Sequence, residues 1–150
     1  MQPKAPGTYV LVLHCPRKQT LRIGRLGTHT LPRGWYLYVG SAFGPGGVAA
    51  RCGHHRRISV RPRWHIDYLR AGCRLAEIWY THDAHHREHA WAGLLSQNLG
   101  LNQPVAGFGA SDCGCGSHLF HSVVKPQGQA FRRLVTDHLP DHAVIYRETD

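Results

Sequence analysis

Arginine supplies most of the chemistry that can be read directly from this sequence. Arg51, Arg56, Arg57, Arg61 and Arg63 fall in one short stretch. The whole chain carries 18 Lys and Arg, most of them Arg, against 9 Asp and Glu, a net charge of +9 with a pI near 9.8. A field of that sign gathers polyanions, and a planar guanidinium grips a phosphate through two hydrogen bonds. Such a balance points to nucleic acid as a partner. Thirteen His add charge below about pH 6.5. Two clusters of glycine and tyrosine stand out ahead of this stretch, Gly7-Thr8-Tyr9 and Tyr38-Val39-Gly40.

Two further patterns have metal-ligand character. His85-His86-Arg87-Glu88-His89 contains H-x-x-E-H, which places two histidines on one face if a helix carries them. Zinc peptidases with that pattern need a distant carboxylate, and the only Glu downstream is Glu148, so the pattern is set aside. Cys113, Cys115 and His118 lie close together, with His121 as a possible fourth ligand. A C-x-C pair lacks the usual two-residue gap of zinc sites. These cysteines are therefore read as structural thiols and His118 as a strand-capping residue; a structural zinc is not expected.

The elements that must position these residues follow from periodicity. A chain of 150 residues suits one domain with one core. Strands are predicted over 8–14, 19–25, 35–41, 73–81, 117–124 and 143–147, and helices over 47–58, 63–71, 84–99 and 129–139. The first 41 residues read as an antiparallel meander, and Asp83 as the N-cap of the long helix. Residues 101–116 form a Gly-rich loop. The fold class is α+β: a small, mostly antiparallel sheet flanked by helices. No apolar run reaches the roughly 18 residues of a membrane span. Met1-Gln2-Pro3-Lys4 lacks the apolar stretch of a secretory signal, and a cytoplasmic protein is the expectation. Five cysteines, odd in number and irregularly spaced, argue against a disulfide framework.

The order and context of the two tyrosine clusters resemble the signatures of the GIY-YIG nuclease superfamily. After Tyr38-Val39-Gly40 come Ser41, a Gly-rich turn and a predicted helix with Arg51 and His55, and Glu88 sits on a later helix. The runs WHIDYL at 64–69 and GFGASDCGCGSHLF at 107–120 are similar to one branch of that superfamily, and the resemblance covers about 7–147. In some members of that branch the domain is fused to a base-excision endonuclease, which implies association with DNA-repair proteins.

The resemblance implies a GIY-YIG-like fold and a nucleic-acid endonuclease, on DNA ahead of RNA. Its catalytic set is Tyr9, Tyr38, Arg51, His55 and Glu88. Tyr9 would be the general base on water, its pKa lowered by nearby positive charge. Tyr38 would orient or assist, Arg51 would grip phosphoryl oxygens and His55 would bind phosphate or shuttle a proton. Glu88 would hold one Mg²⁺ or Mn²⁺ together with the substrate phosphate. Arg56, Arg57, Arg61, Arg63 and His65 would line the nucleic-acid groove, and Asp67 would line it too or pair with a nearby Arg. In two respects the chain departs from the family pattern. The tyrosine signatures lie further apart here, with segment 15–34 read as an inserted strand and turn. The family's late Asn has two candidates, Asn98 and Asn102. The alternative function is a nucleic-acid-binding module of the same fold without catalysis.

Overall fold

Val10-Leu11-Val12-Leu13 is apolar at every position, as a strand covered on both faces must be. It lies in strand β1 (Gly7–Cys15), the middle of a five-stranded sheet. The computed structural model describes residues 3–110 and 115–149. In it β1 pairs antiparallel with β4 (Gly34–Ala42) on one side and β5 (Arg74–Thr81) on the other. β6 (Leu119–Ser122) extends the sheet beyond β4, and β7 (Ile145–Thr149) beyond β5, both antiparallel. Four α-helices accompany the sheet among the described residues: α1 (Gly47–Arg56), α2 (His65–Arg70), α3 (Glu88–Gln97) and α4 (Gly128–His138). The architecture is α+β, as the periodicity predicts. Among the described residues no helix is long and apolar enough to cross a membrane.

Strand alternation divides the interior in two. Tyr9, Leu11 and Leu13 share one face with Tyr36 and Tyr38, covered by Val48 and Cys52 of α1 and Ile66 and Leu69 of α2. Val10, Val12, Leu37 and Val39 point the other way, onto Trp91 and Leu95 of α3 and Phe131 and Val135 of α4. The α1/α2 face carries both tyrosine motifs.

Several expectations are corrected. The opening residues are not one meander. β2 (Gln19–Arg22) and β3 (Thr28–Leu31) form a separate two-stranded sheet, and β1 pairs directly with β4. The predicted strand 19–25 stops early because Gly24 takes φ +47 and opens a 3-10 turn. The long helix begins at Glu88, four residues late. Asp83 does not cap it. Its buried carboxylate accepts hydrogen bonds from Arg87 Nη2, His85 N and Ala143 N, which ties the chain ahead of α3 to the segment before β7. His85 therefore lies outside the helix that carries His89, and the shared face required by H-x-x-E-H does not form. A disulfide, Cys15–Cys73, is also present. It joins the last residue of β1 to the residue before β5, where the His14↔Arg74 register brings the two Cα atoms to 4.4 Å. Cys113 and Asp112 lie outside the described residues.

Candidate active site

The register Leu11↔Tyr38 and Tyr9↔Gly40 sets the two tyrosines diagonally on one face, with ring centroids 6.5 Å apart. Glycine at position 40 has a steric cause. A Cβ there would stand 2.3 Å from Tyr9 Cζ and 2.4 Å from its hydroxyl oxygen, so the phenol occupies the space of the missing side chain. α1 crosses this end of the sheet. Its start is pinned by the chain's own N-terminal segment, since Val48 N donates to Ala5 O and Ala49 N to Pro3 O.

α1 brings His55 to Tyr9, with 2.7 Å between Nε2 and the hydroxyl. Both are buried, at about 1% exposed. Burial pushes the Tyr9 hydroxyl well above its ordinary pKa, Tyr38 pushes it further, and Arg51 only partly offsets them. Burial also lowers His55 to about 3. At neutral pH the phenol is therefore protonated and the imidazole uncharged, and the two share this hydrogen bond. This corrects the expectation of a Tyr9 pKa lowered by positive charge, because His55 of α1 packs on the buried ring and desolvation outweighs the cation. Tyr38 is raised as well, first by burial and then by the charge of Glu88.

Arg51, on the same helix, donates from Nη1 to Ser41 O at 2.9 Å, and its guanidinium lies 4.4 Å from the centroid of the Trp64 ring. Arg63 stacks on that ring at 4.6 Å. Arg51, Arg63, His54 and Trp64 line a cavity of about 290 Å³ against the Gly44–Gly47 turn. His54 Nε2 lies 3.0 Å from Asp67 Oδ1, and Asp67 Oδ2 accepts from Arg63 N and Trp64 N. Burial alone would raise Asp67, but these hydrogen bonds outweigh it and hold the carboxyl below its usual range. Asp67 thus builds the wall of the cavity by capping α2, and it takes the Arg63 backbone in place of an Arg side chain. His54 and Trp64 were not read as site residues. The only sequence signals for them are proximity to His55 and membership of the WHIDYL run.

Glu88, the first residue of α3, is about one-fifth exposed, with Oε1 3.3 Å from His118 Nδ1. His118 is buried, accepts from Val39 N through its carbonyl and donates from its own N to Phe108 O. His118 is thereby fixed next to Tyr38, and Glu88 comes to the same end of the sheet. His65 has another task. Its Nδ1 accepts from Gly109 N at 2.8 Å, which anchors the Gly-rich loop where a Cβ on Gly109 would be 2.9 Å from the Tyr38 ring. Of the remaining basic residues, Arg57, Arg61 and Arg63 are exposed, whereas Arg56 reaches Glu148 at 3.4 Å. Asn98 donates to Leu94 O at the far end of α3, roughly 15 Å from Glu88 at 1.5 Å per residue. Asn102 is exposed and pairs through its backbone with His121. Neither Asn is placed beside the tyrosines by these contacts.

The family model described as Domain of unknown function DUF123 matches residues 8–139. The chain belongs to this family. The DUF123 match spans all five candidate catalytic residues and every element of the main sheet except β7. No curated protein and no solved structure matches the chain.

Proposed function

We propose that this chain is a divalent-metal-dependent endonuclease of the GIY-YIG kind, hydrolysing phosphodiester bonds in nucleic acid, in DNA ahead of RNA, and working with DNA-repair proteins. The observation that carries this reading is convergence. Tyr9, Tyr38, Arg51 and His55 come from three elements separated in sequence, yet the rings of Tyr9, Tyr38 and His55 lie within 6.5 Å of one another. Arg51 and Glu88 are close enough to act on the Tyr38 hydroxyl by charge.

The roles follow from position. Arg51 and Arg63 hold phosphate oxygens at the cavity beside the Gly-rich turn, where two guanidiniums stabilise a developing charge. His55 is uncharged and hydrogen-bonded to the Tyr9 hydroxyl, so the tautomer with a bare Nε2 offers the phenol a place to send its proton when Tyr9 takes one from water. Tyr38 packs between Phe108 and His55 and keeps Tyr9 in place. Glu88 suits a hard cation, being a partly exposed carboxylate at the rim of the site. A single carboxylate leaves the remaining positions to phosphate oxygens and water, as Mg²⁺ prefers. The bound ion would supply Lewis-acid polarisation of the phosphate.

One observation favours a second reading, a binding module without catalysis. Tyr9 is almost fully buried, and its raised pKa opposes a base. A cleavage screen separates the two: branched, flapped, nicked, abasic and single-stranded DNA, and structured RNA, each with Mg²⁺, Mn²⁺ or chelator. Cutting that needs the metal is the expected result. Binding without cutting across the whole panel would select the module.

A further inference from the structure

A second cluster with metal-binding chemistry lies behind Glu88. The sequence alone shows only Cys113, Cys115 and His118 there, a poor set of ligands. The fold adds a donor from another element. His89, on the first turn of α3, reaches the segment leading into β6, with Nδ1 3.1 Å from Cys115 Sγ. His118 completes the group: one ligand atom from each of His89, Cys115 and His118 lies within 4.8 Å of the others.

We propose that His89, Cys115 and His118 bind a zinc ion, which fastens the start of α3 to the strand entry at β6. Tetrahedral zinc with a thiolate at about 2.3 Å and imidazoles at about 2.0–2.1 Å places its ligand atoms roughly 3.5 Å apart. The observed separations are of that order, so the ion fits with small side-chain adjustments. The donor set is selective. One thiolate and two imidazoles suit zinc and disfavour Mg²⁺ or Ca²⁺, which take oxygen ligands. The setting is also that of a built site, not a chance meeting of surface histidines. His118 is 1% exposed, Cys115 is half-buried, and His89 faces solvent. A cavity of about 190 Å³ lies against His89, Cys115, Gln103 and Ser96 and offers an entry path. His118 Nδ1 faces Glu88 Oε1 at 3.3 Å, so the proposal assigns the metal to Nε2. A carboxylate on the opposite nitrogen fixes the ring of a metal-binding histidine and raises its basicity.

Among the described residues the other grouping of donors, His54, His55 and Asp67, is already committed. Asp67 caps α2 and holds His54, and His55 is hydrogen-bonded to Tyr9. The zinc site shares Glu88 with the nuclease reading but is tested apart from it, in the resting protein without substrate.

The test is metal content. The full chain is purified through a tag that binds no metal, without chelator, and metals are counted by mass spectrometry. Cobalt(II) is then added to protein stripped of metal, where thiolate ligation gives an intense charge-transfer band. Close to one zinc per chain is expected, together with that band, and Cys115→Ser and His89→Gln should each lose the zinc while the far-ultraviolet dichroism is unchanged. Wild type with neither zinc nor a thiolate–cobalt band overturns the proposal, whatever the variants do. Full zinc occupancy in Cys115→Ser or in His89→Gln overturns it too. Failure of the nuclease reading would appear elsewhere, as zinc-bearing protein that cuts nothing.

Discussion

Tyr9 and His55 share a hydrogen bond of 2.7 Å in a place that water does not reach. Removing the hydroxyl alone, with Tyr9→Phe, keeps the ring over Gly40 but takes from buried Nε2 its hydrogen-bond partner. Unfolding in urea should show a loss of about 1–2 kcal/mol. Cleavage should fall by about 10²–10⁴, the usual share of a proton-transfer group; unchanged cleavage would move the base elsewhere. His55 also sets a pH dependence. Its folded pKa is about 3, below the ordinary value near 6.5. Between those values the unfolded chain takes a proton that the folded chain refuses, so stability falls as pH drops below about 6.5 and is flat above it. One such group contributes at most about 1.4 kcal/mol per pH unit. Denaturation from pH 7 to 4.5 should show a shallower slope in His55→Gln than in wild type. Equal slopes would mean that His55 is protonated in the fold.

At the scale of elements, the site depends on close approach between β1 and β4. Gly40→Ala puts a methyl group 2.3 Å from Tyr9 Cζ. The ring must move off His55, at a cost of about 1–3 kcal/mol for overpacking; a melting temperature equal to wild type would show that the strands part easily. This tight packing explains what could be read in advance. The two tyrosine clusters were legible as motifs but the direct β1–β4 pairing that sets Tyr9 opposite Gly40 was not, and β1, β4, β5, α1 and α2 fall within about two residues of their predicted spans because their apolar residues repeat clearly. β3 was missed because Thr28–Leu31 buries only Leu31 fully. The start of α3 was misplaced because Asp83 is held by Arg87 and by Ala143, the second a contact across 60 residues. The Cys15–Cys73 disulfide needs the β1–β5 register, which no local pattern encodes. The unbroken apolar run of β1 did not tell which face Tyr9 takes, nor that His55 of α1 would pack on it.

For the molecule as a whole, the net charge of +9 is concentrated where it can act. Arg57, Arg61 and Arg63 are exposed on and after the end of α1, and Arg51 looks into the cavity beside them. Binding of a labelled duplex should weaken steeply as salt rises, with a log–log slope of about 0.9 per phosphate contact. Arg63→Ala should lower that slope by about one contact. A flat salt response, or no binding at low salt, would remove nucleic acid as the partner. The central claim is hydrolysis at Glu88, and its most direct measurement compares wild type with Glu88→Gln on a substrate that wild type cuts with Mg²⁺ or Mn²⁺. Glu88→Gln keeps the size of the side chain and removes its charge. The predicted result is loss of cleavage even in excess metal, with nucleic-acid binding equal or slightly tighter. Metal-dependent cutting that persists in Glu88→Gln would contradict the account.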